Sequence, residues 1–173
     1  MNITKIWQSD GEEGIKQTLK HMRELVIATD ANRVIKQKAR EIISGIRPND
    51  EMGQIAAIFN WVRSHMEYVR DIYGVEELTA PDKIVTSMLS GTNEYSSDCD
   101  DYAMLLSALL RAVGFRTRLE ALAVGQPEGY DHARAAVFVK TLNKWIPLEG
   151  TKPNVAPGFG LKSQKPILAL EAV

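Results

Sequence analysis

The apolar residues of this chain change their period once, and that change limits the fold more than any other feature. Up to Val113 they recur at steps of three and four, and from Arg116 they alternate. The first spacing lines one face of a helix and the second one face of a strand. Helices first and strands after predict an α+β domain.

Ser9 and Asp10 are placed to cap a first helix carrying Ile15, Leu19, Met22, Leu25 and Val26, which should fray near Thr29 and Asp30. A second helix presents Val34, Ile35, Ala39, Ile42 and Ile43 and stops between Gly45 and Asp50, where Gly, Pro and Asn interrupt the pattern. A third is expected from Glu51 to Val69, with Ile55, Ile58, Phe59, Val62 and Met66 inward and Trp61 and Tyr68 near its edge. Residues 70–80 show no clear period. Pro81 and Asp82 then open a short helix through Ile84, Val85, Met88 and Leu89, closed by Gly91.

The polar stretch Thr92–Ser97 precedes the most apolar helix of the chain, Cys99 to Val113. Ala103, Leu105, Leu106, Leu109, Leu110 and Val113 cover more than half its circumference, which predicts a central buried helix ended by Gly114. Arg116–Val124, His132–Val139 and Trp145–Leu148 read as antiparallel strands, joined by a Gly125–Gly129 loop and a turn over 140–144. With 173 residues, 45% of them hydrophobic, one domain is expected: a helical part over about 9–90, a catalytic core over about 91–151, and a loop or tail over 152–173.

Composition excludes several functions. Twenty-one basic against 22 acidic residues give a net charge of -1, too little positive charge to hold a polyanion, so nucleic acid is not an expected partner. The single cysteine rules out an intrachain disulfide and fits a reducing compartment. Met1 to Lys5 lead into polar sequence without the apolar run of a signal peptide or membrane span, so a cytoplasmic protein is expected, with no membrane partner.

The only thiol stands where chemistry is favoured. Asp98 can cap the long helix, which puts Cys99 in the first turn, where unpaired N–H groups and the positive end of the helix dipole favour a thiolate. Asp98, Asp100 and Asp101 oppose this with negative charge unless their carboxylates are used in capping, a task Asp101 has the spacing to perform. By position alone Cys99 is either a nucleophile or a small residue packed under a helix start. Of the three histidines, His21 and His65 lie inside helices among charged neighbours and read as solvated. His132 begins a strand, where an imidazole facing a helix-start thiol can act as its base.

Glu149, just past the next strand, is the nearest downstream acid able to orient that imidazole, or else a solvated strand-end carboxylate. The midpoint between His132 and Glu149 falls at Lys140–Thr141, so pairing them requires the hairpin to bend there or to carry a bulge. Metal binding by Asp98, Asp100, Asp101 and His132 is disfavoured, because the cluster lacks the spacing of a calcium loop and one thiol falls short of a zinc site. Neither a metal nor an organic cofactor is expected.

These residues resemble the transglutaminase-like superfamily, and most closely its small phage- and prophage-encoded versions. The resemblance is carried by Gln17–Val26, by Ile58–Arg63 leading to Tyr68–Asp71, by Gly74–Pro81, and by Asp98-Cys99-Asp100-Asp101-Tyr102-Ala103. It continues through Leu109–Gly114, His132 and Trp145–Thr151. It implies a papain-like fold in which a nucleophile helix packs on a small antiparallel sheet carrying histidine and acid. The implied roles are Cys99 as nucleophile, His132 as base and Glu149 as orienting acid, acting on an amide of a peptide or protein substrate through an acyl-enzyme that water, in preference to an amine, resolves. The Cys99 N–H is the one oxyanion donor expected.

The family usually has aspartate at the place of Glu149 and glycine at the place of Ser97, and an aromatic or acidic strand where this chain has Ala133-Arg134-Ala135-Ala136. The altered acid, together with the acidic surroundings of the thiol, feeds the rival expectation of a catalytically weak phage assembly module, which would be associated with the particle. The loops Thr92–Ser97, Gly125–Tyr130 and Gly150–Gly160 are expected to line the cleft.

Overall fold

A computed structural model of the chain describes residues 3–6, 11–69, 76–92, 95, 97–125 and 127–173. The elements run β1 (Ile3–Ile6), α1 (Gly11–Ala28), α2 (Arg33–Ile42), α3 (Glu51–His65), β2 (Glu76–Thr79) and α4 (Pro81–Ser90). After these come α5 (Cys99–Ala112), β3 (Thr117–Leu122), β4 (His132–Val139), β5 (Lys144–Leu148) and β6 (Leu168–Glu171). The expected α+β architecture is present: helices gathered around α5, and α5 packed on an antiparallel sheet of order β5-β4-β3-β6.

Local chemistry sets the helix ends. Asn32 Oδ1 accepts from the N–H of Val34 at 2.9 Å and of Ile35 at 3.2 Å, which starts α2. Asp50 Oδ1 does the same for Gly53 N–H at 2.9 Å and starts α3. Pro81 occupies the first turn of α4, and Gly91 closes it with φ +71°, a left-handed cap. The Ser9–Asp10 cap expected for α1 lies outside the described residues, as does part of the 92–97 loop.

Helix α3 is shorter than expected. Met66 is buried, as the periodicity required, but its backbone is extended (φ -99°, ψ 139°). Beyond it Tyr68 bridges Ser97 in parallel, and Val69 N–H donates to Ser97 O at 2.9 Å. Tertiary pairing therefore takes over residues whose spacing alone would continue the helix.

Every residue of α5 from Asp100 to Leu110 is buried. Helices α1, α2, α3 and α4 pack on it from one side and β4 from the other. Leu105, Leu106, Leu109 and Leu110 are wholly removed from solvent, each contributing on the order of 2 kcal/mol by apolar transfer. Along β4, Ala133, Ala135, Val137 and Val139 belong to this core. The two alanines let the helix approach closely. His132, Arg134, Ala136 and Phe138 alternate with them and so occupy the opposite face of the sheet.

Two pairings were not foreseen. β1 and β2 form a two-stranded ladder in which Ile3 opposes Thr79. β6, in the segment expected to be tail, pairs with β3 through Leu119–Leu170 and its neighbours. Arg23 Nε donates to Glu171 O at 3.0 Å, and Arg111 donates to Ala172 O, so side chains of α1 and α5 fasten this edge. Among the described residues no helix is long and apolar enough to cross a membrane.

Candidate active site

Asp98 caps α5 as expected, its Oδ1 accepting from Asp100 N–H at 3.0 Å, and Cys99 is the first helical residue, partly exposed. The thiol donates to Asp100 Oδ1 at 3.7 Å. Asp101 Oδ1 accepts from the Thr79 N–H at 2.9 Å, so it tethers β2 to α5. Asp101 is buried and faces the β2 backbone, whose donors need a partner away from water. Ligand atoms of Asp98, Cys99 and Asp100 lie within 4.8 Å of one another; this is the one group among the described residues with metal-binding proximity, and Asp98 Oδ1 is already engaged in capping.

The ladder between β4 and β5 pairs Ala135 with Leu148 and Val139 with Lys144, so the turn spans 140–143 with Asn143 in the left-handed region at φ +49°. The bend expected at Lys140–Thr141 is therefore displaced. Continuing the ladder one step puts Arg134, not His132, opposite Glu149. His132 stands two residues along the same strand, on the same face, within reach of a long side chain across the diagonal. The contact forms: His132 Nε2 and Glu149 Oε2 are 2.8 Å apart. The solvated reading of Glu149 is overturned, because its side chain is 0% exposed and that of His132 is 12% exposed.

Glu149 is held from three directions. Besides His132, its Oε1 accepts from Arg134 Nη1 at 2.7 Å and from Leu161 N–H at 3.0 Å. Burial pushes the carboxyl up, but the hydrogen bonds from His132, Arg134 and Leu161 outweigh it and hold Glu149 below the ordinary carboxylate range. An ionised Glu149 can only accept, so His132 donates to it through Nε2–H, and in the neutral ring Nδ1 is then the nitrogen that can take a proton. The backbone turns sharply after β5, and Gly150 sits against Tyr102 and Leu106 of α5, where an added Cβ would lie 3.0 Å from Tyr102 Cδ1. This brings the sheet end that holds His132 and Glu149 against the first turns of the helix that Cys99 begins. Tyr102 itself donates to Met66 O at 2.8 Å, and its burial pushes the phenol up.

Residues 36–150 match the sequence profile of the transglutaminase-like superfamily. The chain belongs to the transglutaminase-like superfamily. No curated protein matches it. In fold, this superfamily member is similar to a chain of the Rad4/XPC nucleotide excision repair complex solved in work on DNA duplex opening, with a TM-score of 0.55 at 12% identity over 91% of this chain and 45% of that one. A protein of Cytophaga hutchinsonii proposed to be a cysteine protease aligns with a TM-score of 0.48 and 17% identity over 79% of this chain and 47% of its own. A proposed protease of Parabacteroides distasonis gives 0.46 and 14% over 69% and 25%. The chain thus spans less than half the length of each of these proteins.

The roles of three further residues around the site escaped the sequence reading. Arg134 Nε donates to Glu120 Oε2 at 2.7 Å, and Arg118 Nε donates to Glu120 Oε1 at 2.7 Å, so a chain of charges runs Arg118–Glu120–Arg134–Glu149–His132 across three strands. The signal was parity: Arg118, Glu120, His132 and Arg134 all fall on the non-core phase of their strands, where a run of opposite charges in otherwise apolar sequence marks a buried network. The Gly150–Gly160 loop covers this face, with Gly160 against Arg134 Nη1 and Pro147. A cavity of about 230 Å³ lies elsewhere, beside the residues preceding Cys99, and the 92–97 loop borders it through Tyr95 and Ser97. His65 lines that cavity and stacks on Trp61, while His21 lies 3.4 Å from Glu24 on the surface.

Proposed function

We propose that this protein is a cysteine-dependent amide hydrolase in which Cys99 is the nucleophile, His132 the base and Glu149 the orienting acid. One observation carries the reading: a buried carboxylate grips Nε2 of an imidazole, leaving Nδ1 basic, at the sheet end that abuts the start of the helix bearing the only thiol of the chain. A catalytically silent module has no use for an ionised acid buried against a histidine, since such a pair costs desolvation without stabilising more than apolar packing would.

In this mechanism Nδ1 takes the thiol proton as Sγ attacks the carbonyl carbon of a peptide or protein amide, forming the S–C bond and a tetrahedral oxyanion that accepts from the Cys99 N–H. The C–N bond then breaks as the imidazolium returns its proton to the leaving amine. Water, deprotonated by the same nitrogen, cleaves the thioester and frees the thiol. Departure of the thiol proton also releases Asp100 from its 3.7 Å contact, and the helix N-terminus offsets the resulting negative charge.

The test is labelling by a peptide-based electrophile that mimics the scissile amide. Cys99→Ala should abolish labelling with the fold retained, and His132→Ala should slow it by about a hundredfold or more. A His132→Ala protein labelled as fast as wild type would refute the assignment.

A further inference from the structure

The charge chain behind Glu149 has a property that the proposed reaction needs. Arg118 and Arg134 supply two positive charges, and Glu120 and Glu149 two negative ones, so the network is neutral without any contribution from His132. Arg134 sits at its centre, 7% exposed, with Nε on one carboxylate and Nη1 on the other. Glu120 is buried as deeply as Glu149. The guanidinium fork also reaches Leu161 O at 3.3 Å, in the loop whose N–H binds the same oxygen of Glu149.

A base must begin the cycle neutral. With only a histidine for company, a buried carboxylate would hold a proton somewhere on the pair, either as imidazolium or as a neutral acid, because an uncompensated buried charge is costly. We infer that Arg134 is a positioning residue that keeps Glu149 ionised while His132 is neutral, and so sets the pH range in which the imidazole can act as a base. The inference rests on the proposed roles of His132 and Glu149, but its physical core, coupling of the guanidinium to the imidazole through the carboxylate, holds or fails independently of any reaction. Rigid geometry matters as well as charge. A fork held by two carboxylates fixes the plane of Glu149, which a lysine, as a point charge, does only in part.

Other titratable groups belong to the elements packed around the pair and are unchanged in the test variants. Asp131, adjacent in sequence, is bound to the Val124 and Gly125 N–H groups. Lys162 follows Leu161 in the covering loop, and Cys99, Asp100, Asp101 and Tyr102 lie in the first turn of α5.

The experiment follows the imidazole of His132 by NMR, with isotope-labelled histidine, across pH in wild type, Arg134→Lys and the double variant Glu120→Gln with Arg134→Met. The double variant removes one charge of each sign, so the buried face stays balanced and the fold is preserved where Arg134→Met alone would strand two carboxylates. The His132 signals should move at a pH higher by about one unit or more in the double variant, and Arg134→Lys should recover most of the difference. The acid limb of the electrophile-labelling rate should move up by the same amount. A double variant whose imidazole titrates with wild type overturns the inference. If wild type is not labelled at all while the imidazole shift is still seen, the coupling stands and it is the proposed hydrolase that falls.

Discussion

Replacing Glu149 by glutamine keeps the shape of the site and changes only its donors and acceptors, so its outcome can be worked out atom by atom. The carboxylate accepts three hydrogen bonds on two oxygens: Arg134 at 2.7 Å and Leu161 at 3.0 Å on one, His132 at 2.8 Å on the other. A glutamine offers one oxygen and one NH2 group. If the oxygen faces His132, the NH2 opposes both the guanidinium and the Leu161 N–H, leaving two buried donors without acceptors at about 1–3 kcal/mol each. If the oxygen keeps Arg134 and Leu161, the NH2 faces Nε2, and the ring must accept there. The second arrangement wins.

In that arrangement the imidazole proton moves to Nδ1, the nitrogen that receives the thiol proton in the proposed reaction. A wrong-tautomer base of this kind costs about 10⁴ in kcat, equivalent to about 5.5 kcal/mol of transition-state stabilisation. Stability falls as well, because Arg134 loses one of its two ionic partners. Breaking a buried pair costs about 3–5 kcal/mol, and retention of Glu120 puts this case near the lower end, about 3 kcal/mol. The assay pairs the inactivation rate of Cys99 by the peptide electrophile with urea denaturation, where the midpoint should drop by roughly 1–2 M. A Glu149→Gln protein that is inactivated within a few-fold of the wild-type rate would refute both the tautomer reasoning and the role of the acid.

Two predictions concern stability alone. Glu149 is held below the ordinary carboxylate range in the folded protein, so its stabilising contribution is complete above the unfolded value of about 4.3 and is lost as pH falls from there through the lowered folded value; urea midpoints measured between pH 6 and pH 3 should fall more steeply for wild type than for Glu149→Gln. Gly150→Ala should cost about 1–3 kcal/mol by overpacking, seen as a lowered thermal midpoint, because the new methyl group lies 3.0 Å from Tyr102 Cδ1 and 3.1 Å from Leu106 Cδ1, and the Tyr102 ring is pinned by its bond to Met66 O.

What could be read from sequence follows the range of the forces involved. Helices α1, α2, α4 and α5 and strands β3 to β5 each carry their own periodicity and stop signals, and the structure places them within a few residues of expectation. β2 (Glu-Glu-Leu-Thr) and β6 (Leu-Ala-Leu-Glu) carry none. They are strands because β1 and β3 offer backbone donors and acceptors that must be met, which is a property of the partner and not of the segment. The end of α3 has the same origin, since Ser97 claims the backbone of Tyr68 and Val69.

The site repeats this division at the scale of single residues. Cys99, His132 and Glu149 are visible as residue types at element ends, but which of them touch depends on a hairpin register that no local pattern specifies. The turn over 140–143 sets the positions opposite one another to sum so that Arg134 takes the direct place facing Glu149, and His132 the diagonal one. Because the offset is two residues, all three stay on one face; an offset of one would have placed the imidazole across the sheet from the acid. Cα atoms on the diagonal are about 7–8 Å apart, against about 4.5–5.5 Å for direct pairs, so the acid must both span the longer distance and turn its second oxygen back to the arginine. A glutamate has the extra methylene for that and an aspartate does not. The departure at residue 149 is in this sense the counterpart of the departure at residue 134: a strand that places arginine directly opposite the acid requires the longer side chain to reach the histidine beyond it.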